Sequence, residues 1–134
     1  MNLLYNIYDK KNFTHKVTQK DVAQFETGIV HPVYSTFALA RDAEWSGRLF
    51  VLDMKESLEE GIGTGLEIKH ISPALLNEEV TFESILIEIN KNEIVTTFKA
   101  TVDNRVIATG KQWQKIVLKE KLEQLFQSLE KKAI

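Results

Sequence analysis

The stretch 30–52, VHPVYSTFALARDAEWSGRLFVL, constrains the fold more than any other part of the chain. Pro32, Ser35 and Thr36 are typical of a helix start, and the pattern after them predicts one long helix over about 35–54. At about 100° per residue, one broad arc of that helix carries small and apolar side chains. Its members are Leu39, Phe50, Ala43, Gly47, Ala40, Val51 and Phe37. The small residues in the middle of the arc allow a sheet to pack closely against the helix.

Glu44 falls on the same arc, between Val51 and Phe37, where its polarity does not fit. Burying a carboxylate is costly unless another group pairs with it. Arg41 and Arg48 lie three residues before and four residues after it on the same helix, so an ion pair is the structural explanation. Helix geometry alone favours that ion pair, and a functional carboxylate is the alternative.

Composition excludes several classes of function. A chain of 134 residues is of single-domain size and can bury roughly two-thirds of its unfolded surface. We expect one domain over 1–134, with a lead-in at 1–12 and a C-terminal helix at 119–134. The net charge of -2 gives no basic stripe for nucleic acid. No apolar run approaches the ~20 residues that cross a bilayer, and the N-terminus lacks a signal peptide pattern, so we expect a cytoplasmic protein.

Cysteine is absent, which excludes disulfides, thiolate nucleophiles and cysteine metal sites. Three histidines, His15, His31 and His70, are too few and too scattered to predict a metal centre. We therefore expect neither a metal nor a cofactor.

The sequence after the helix alternates with a period of two, which is typical of strands. In 62–70, one face carries Ile62, Thr64, Leu66, Ile68 and His70, and the other carries Gly63, Gly65, Glu67 and Lys69. His70 alone is most simply a histidine satisfied near the core. Further strands are predicted at 13–17, 80–89, 93–102 and 106–118, joined mostly by tight turns. A phase shift between Phe82 and Ile85 predicts a bulge or a strong twist.

The order of elements predicts an α+β fold in which an antiparallel sheet of five or six strands wraps one long helix. This is the hotdog architecture. An amphipathic C-terminal helix follows, and its apolar stripe is predicted to cover the sheet or a second copy of the chain. An open sheet face and an unpaired edge strand predict a homodimer.

Two motifs resemble the hotdog thioesterases of the fluoroacetyl-CoA thioesterase type. One is VYST followed after seven residues by EW, over 33–45, and the other is IGTGLEIKH over 62–70, followed by ISP. In that family a threonine at the helix start precedes a glutamate by eight residues and a strand-ending histidine by thirty-four. Thr36, Glu44 and His70 match both spacings, and Gly63-Thr64 matches the family's glycine-threonine pair. The similarity covers about 13–118.

Two positions depart from the family pattern. The family's last strand carries a glycine followed by a histidine-glutamate-arginine run, whereas this chain has TGKQWQ over 109–114. Gln114 stands where the arginine is expected, and we predict that it replaces that substrate contact. The segment between first strand and helix is also shorter, so the lid of the fluoroacetyl enzyme is expected to be absent. Both departures argue against fluoroacetyl-CoA itself and leave the reaction class intact.

The resemblance implies an acyl-CoA thioesterase that hydrolyses a small acyl thioester at a site near the dimer interface. Thr36 would lie at the site or act only as the helix N-cap, and His70 would accept its proton or that of water. Glu44 would orient His70, act as the base or attack the carbonyl, and these three roles stay open. Backbone N–H groups of Gly63 or Thr64 would bind the oxyanion. About 12 Å of helix axis separates Thr36 from Glu44, so they cannot touch within one ideal helix.

Two other functions remain open. A non-catalytic acyl-CoA binding hotdog protein would keep the fold and lose the chemistry, which the altered run at 109–114 favours modestly. A hotdog hydratase or dehydratase would carry an aspartate-histidine pair near the helix start. The sequence offers only His31 with Asp42 there, at an unsuitable spacing.

Overall fold

A computed structural model describes residues 1–25 and 28–133. Two helices and seven strands follow one another along this part of the chain. In chain order they are β1 (Lys10–Lys16), β2 (Val22–Phe25), β3 (Gly28–Tyr34), α1 (Thr36–Met54), β4 (Glu59–His70), β5 (Glu79–Asn90), β6 (Glu93–Val102), β7 (Arg105–Leu118) and α2 (Lys119–Ala133). A short 3-10 turn, Gln19–Asp21, lies between β1 and β2.

Five strands form one antiparallel sheet in the order β1-β5-β6-β7-β4, and β2 pairs with β3 as a separate hairpin. Helix α1 packs along this sheet, while α2 follows its last strand. The predicted hotdog architecture and its long central helix are therefore confirmed. β4 and β1 are the two edges of the sheet.

The interface between α1 and the sheet has two apolar clusters with polar residues between them. The first cluster lies around Leu39 and Ala43, in the first half of the helix. The second lies around Phe50 and Met54, near its end. Four buried polar residues occupy the level between the clusters, namely Ser46, Thr96, Gln112 and Gln114. Apolar contacts thus hold both ends of the helix against the sheet. Between them, polar residues hydrogen-bond the turn of the helix that carries Glu44.

β4 does not alternate regularly. Its register with β7 shifts between Gly63 and Gly65, so Thr64 is the extra residue of a β-bulge. Gly61 and Gly63 share the helix-facing side with Leu66, Ile68 and His70, because these positions pair with the helix-facing residues of β7. The predicted alternation was wrong at the bulge, where Ile62 and Gly63 exchange faces.

Three further expectations need correction. Phe37, predicted on the buried arc, is 87% exposed. The irregularity in β5 falls between Leu86 and Glu88 rather than between Phe82 and Ile85. The apolar stripe of α2 does not cover the sheet of its own chain, because Leu125, Phe126 and Leu129 are each about half exposed.

The segment 18–28 holds the 3-10 turn and β2, and β2 forms a hairpin with β3 before α1. Residues 26–27 of that segment lie outside the described residues. Among the described helices, none has the length and apolar character needed to span a bilayer.

Candidate active site

Thr36 and His70 meet at the N-terminus of α1. Thr36 Oγ1 and His70 Nδ1 are 2.9 Å apart, which is a hydrogen bond between the first residue of the helix and the last residue of β4. Ser35 is the N-cap instead, since its hydroxyl accepts a hydrogen bond from the backbone N–H of Ala38 at 3.0 Å. Because Ser35 does the capping, the hydroxyl of Thr36 is left to interact with the imidazole.

His70 has one ring nitrogen bonded and the other unsatisfied. If Nδ1 accepts the Thr36 hydroxyl proton, Nε2 carries the ring hydrogen and must donate it. Nε2 is buried and has no hydrogen-bond partner within the described residues. A cavity of about 340 Å³ opens beside the pair, lined by Thr36, His70, Ile71, Ser72 and Pro73. A small carbonyl group can therefore approach the hydroxyl and the ring together.

Glu44 lies further along α1, with its carboxylate over the backbone of Gly63. A Cβ at Gly63 would overlap Glu44 Oε1, so only glycine leaves room for the carboxylate there. Contrary to the predicted arc, Glu44 is exposed in the single chain. Its carboxylate makes no ion pair or hydrogen bond within the described residues.

The predicted ion pair of Glu44 with Arg41 or Arg48 was wrong. Arg41 pairs with Asp21 and Asp42 at 2.9 and 3.0 Å. Arg48 donates to the carbonyl oxygen of Gly61 at 2.9 Å and pairs with Glu60. Both guanidinium groups are thus engaged elsewhere, and the carboxylate of Glu44 is left for another role.

The bulge in β4 lies beside this carboxylate. A bulge leaves its extra residue out of the strand ladder, so the backbone N–H of Thr64 is displaced from regular pairing with β7. The backbone N–H of Thr64 is therefore a candidate donor near Glu44. Along the helix axis, about 12 Å separates Glu44 from Thr36, which lies beside His70.

Gln114 does not fit the predicted contact with substrate. Its side chain is 2% exposed, and its amide N–H₂ donates to Gln112 Oε1 at 2.8 Å. Gln112 in turn donates to the carbonyl oxygens of Ala43 and Glu44, each at 3.0 Å. The two glutamines therefore contact the helix, not a cavity.

Comparisons with known proteins identify the fold and the family. The sequence profile described as fluoroacetyl-CoA-specific thioesterase matches residues 17–120. The chain belongs to this thioesterase family. No curated protein sequence matches it significantly.

Solved structures agree with this assignment. A Thermus thermophilus protein described as a thioesterase superfamily member is 30% identical, with a TM-score of 0.90 and coverage of 95% of this chain and 94% of that one. A hot-dog-like protein from Thermanaerovibrio acidaminovorans is 20% identical, with a TM-score of 0.85 and 93% of each chain covered. The fluoroacetyl-CoA thioesterase FlK is 15% identical, with a TM-score of 0.84 and coverage of 92% and 96%.

The thioesterase fold also contains a buried ionic cluster that sequence reasoning missed. His15 Nε2 lies 2.7 Å from Asp21 Oδ2 and 3.5 Å from Asp42 Oδ2, and Tyr34 donates its hydroxyl to Asp42. His15, Asp21 and Asp42 offer a set of atoms that could hold a metal, within 4.8 Å of one another. Arg41, however, donates to both carboxylates and already supplies the positive charge. No sequence motif joins these residues, because strand, turn and helix bring them together only in the fold.

This cluster also bears on the hydratase alternative, since it is an aspartate-histidine pair near the helix start. Burial raises the pKa of Asp21, but hydrogen bonds from Arg41, the Thr18 backbone and His15 outweigh it and lower the pKa to about 2. Such a carboxylate stays ionised at neutral pH and is poorly matched to proton transfer there. The pair is therefore better explained as a structural tie between β1, the 3-10 turn and α1.

Proposed function

We propose that this chain is an acyl-CoA thioesterase that hydrolyses a small acyl thioester to the free acid and thiol. The observation that carries the proposal is the hydrogen bond between Thr36 and His70 beside an open cavity at the N-terminus of α1. Family membership supports the reaction class. One solved structure of an FlK variant contains fluoroacetate and CoA, which favours CoA as the carrier here.

Each group has a role that its chemistry allows. His70 accepts a proton from Thr36 or from water, which activates the attacking oxygen. The oxyanion of the tetrahedral intermediate is stabilised by backbone N–H groups, either of the first turn of α1 or of Gly63 and Thr64. Glu44 orients the imidazole, acts as a base or attacks the carbonyl, and the Glu44→Gln variant below tests whether it takes part in the reaction.

We further propose that the site is completed by a second copy of the chain. β4 is an edge strand whose residues 63–67 are exposed in the single chain. Pairing β4 antiparallel with its own copy keeps both helices on one side of a continuous sheet. It also brings the Gly63 end of one β4 alongside the His70 end of the other.

The unsatisfied groups support this arrangement. With Nδ1 accepting from Thr36, His70 Nε2 is a buried donor with no acceptor among the described residues, and the exposed carboxylate of Glu44 makes no hydrogen bond there. Within one chain they are held apart by the length of helix between Thr36 and Glu44. In the homodimer, Glu44 of the second copy would receive the hydrogen bond of His70, giving a threonine-histidine-glutamate arrangement across two chains.

The acyl group is best placed in the larger cavity on the other side of Thr36. This cavity has a volume of about 740 Å³ and is bounded by the hairpin and the first turns of α1, including Val22, Ala23, Phe37 and Ala38. That volume lies within the ~300–1,000 Å³ of typical ligand pockets. The cytoplasmic location stays a prediction from the sequence.

A panel of acyl-CoAs assayed by free-thiol release tests the function. We expect Glu44→Gln to lower turnover by a factor of roughly 100 or more, the scale of a lost acid–base group. A non-catalytic acyl-CoA binder is the remaining alternative, and it predicts binding of CoA esters without thiol release by the wild type. Unchanged hydrolysis by a folded Glu44→Gln protein would remove Glu44 from the site.

Subunit mixing tests whether the site is shared. Glu44→Gln and His70→Ala proteins, each inactive alone, are unfolded together and refolded. Random pairing makes half of the dimers mixed, and each mixed dimer has one intact site of two, so about a quarter of wild-type activity should return. If all three residues act within one chain, the mixture stays inactive.

A further inference from the structure

We propose that Gln112 and Gln114 are positioning residues that hold the turn of α1 carrying Glu44, so that its carboxylate stays above Gly63 during thioester hydrolysis. This inference rests on the proposed function and adds two residues to it. Both side chains are 2% exposed and are directed at the helix from β7.

The contacts of the pair converge on one residue of the helix. Gln112 Nε2 donates to the carbonyl oxygens of Ala43 and Glu44, each at 3.0 Å. Gln114 Nε2 donates to Gln112 Oε1 at 2.8 Å and lies 3.5 Å from the Glu44 carbonyl oxygen. The backbone of Glu44 is therefore held by the sheet directly and through the second glutamine.

The orientation of both amides follows from the chemistry of their partners. Backbone carbonyl oxygens can only accept, so the N–H₂ of Gln112 must face the helix. Its Oε1 then faces Gln114 and requires a donor, which only the N–H₂ of Gln114 can provide at that contact. Neither amide can turn over without placing two acceptors against each other.

Gly47 makes this contact possible. A Cβ at Gly47 would overlap the amide of Gln112 and the hydroxyl of Thr96, so the helix can come this close only at a glycine. Glycine inside a helix is unfavourable relative to alanine. The sheet and the helix therefore approach closely at Gly47 although glycine is a poor helix-forming residue.

Stability alone does not explain the pair either. Gln114 Oε1 is buried without a partner within the described residues, and a buried acceptor without a donor is destabilising. Apolar clusters lie on both sides of the layer, so aliphatic side chains would suit the position better. What the glutamines uniquely provide is a set of donors aimed at the Glu44 turn.

The sheet register places the same contact beside the carboxylate of Glu44. Gln114 pairs with Gly63 across β4 and β7, so the two residues project toward the same side of the sheet. Glu44 Oε1 lies where a side chain on Gly63 would begin. The paired residues Gln114 and Gly63 thus position the backbone and the carboxylate of Glu44, respectively.

Gln112→Met tests the inference, because methionine keeps the length of the side chain and removes its donors. We expect kcat to fall by about tenfold or more with KM changed less than about twofold, as for a displaced catalytic group. In a Glu44→Gln background the same change should lower kcat no further, because Gln112 acts through Glu44. Gln114→Met should give a smaller loss of kcat.

Ser84→Ala is the matched control. Ser84 is fully buried in the same sheet, and its hydroxyl has no partner among the described residues. Removing it should leave kcat at the wild-type value. Wild-type kcat in Gln112→Met, or an equal further loss in the Glu44→Gln background, overturns the positioning role.

Hydrogen exchange separates this inference from the proposed function. If the wild type hydrolyses none of the panel, the proposed function fails, and the exchange rates of the Gly47 and Arg48 amides decide the rest. If the Gly47 and Arg48 amides exchange faster in Gln112→Met and the other amides of α1 do not, the result supports the role of Gln112 in holding the Glu44 turn. Rates that stay unchanged there overturn it.

Discussion

The two edge strands of the sheet, β1 and β4, differ in length and in charge. They also differ in whether the polar side chains behind them have partners. β1 has seven residues and carries Lys10, Lys11 and Lys16, which protect an edge against pairing with another strand. β4 has twelve residues, and its exposed middle, 63–67, reads GTGLE without a lysine. One edge is closed to a second copy of the chain, and the other is open to it.

The side chains behind each edge differ in the same way. Behind β1, the cluster of His15, Asp21, Asp42 and Arg41 pairs its buried carboxylates internally. Behind β4, His70 Nε2 and the Glu44 carboxylate have no partners in the described part of the chain. Buried polar atoms are normally satisfied, so the unpartnered Nε2 of His70 next to the open edge supports the proposed dimer.

The largest expected effect comes from one lysine in the open edge. In Leu66→Lys, two like charges would face each other near the twofold axis of the dimer, so we expect a monomer and a loss of activity of roughly 100-fold or more. Sedimentation gives the mass and thiol release gives the activity. Asn12→Lys adds a lysine to the exposed face of β1 and should alter neither, and a dimeric, active Leu66→Lys protein would contradict the difference between the edges.

Gly63→Ala should have the next largest effect. The added Cβ would displace the carboxylate of Glu44, which is exposed and free to move, so the fold should persist. We expect the dimer to remain and kcat to fall by about 10- to 100-fold, the scale of a misplaced catalytic group. Full activity in this variant would show that the position of Glu44 over Gly63 is irrelevant.

Asp21→Asn probes the closed side through pH. The pKa of Asp21 is lowered from 3.8 to about 2 in the folded state, so its stabilisation is present above pH 4 and is lost as the pH falls toward 2. The shift corresponds to about 2 kcal/mol. Urea unfolding at several pH values should show a wild-type advantage at pH 7 that shrinks between pH 4 and pH 2. A pH-independent difference would mean that the charge is not the cause.

The smallest effect is expected for Lys10→Thr. Lys10 lies 3.8 Å from Glu83, and both side chains are substantially exposed. Exposed ion pairs contribute about 0–1 kcal/mol, so the free energy of unfolding should change by less than about 0.5 kcal/mol. A larger loss would mean that β1 is stabilised by its charges and not only protected by them.

The helix, the four strands that follow it and the meeting of Thr36 with His70 were accessible from sequence, because they depend on periodicity and on two motifs at fixed spacing. The bulge at Thr64 was not, since an extra residue in a strand leaves the apolar pattern of 62–70 readable as plain alternation. Glu44 was placed on a buried arc for a related reason. Helical periodicity gives the direction in which a side chain points around the helix. It does not show how far around the helix the sheet extends.

The ionic cluster and the glutamine pair were also beyond sequence reasoning. His15, Asp21 and Arg41 belong to a strand, a turn and a helix whose packing only the fold defines. Gln112 and Gln114 were noticed as a departure from the family's last strand, and Gln114 was given a substrate contact. Gln112 instead donates to helix carbonyl oxygens, which carry no side-chain signal, and Gln114 donates to Gln112.

The bulge in β4 has a consequence for insertions and deletions. Seven positions separate Gly63 from His70, an odd number, yet both point toward the helix because Thr64 is supernumerary. Deleting Thr64 would leave an even count, keep the imidazole aimed inward and remove only the displaced amide. Deleting one residue between Leu66 and His70 while the bulge is kept would instead send the imidazole to the outer surface. Relatives of this chain can therefore lose the bulge residue without turning the histidine outward.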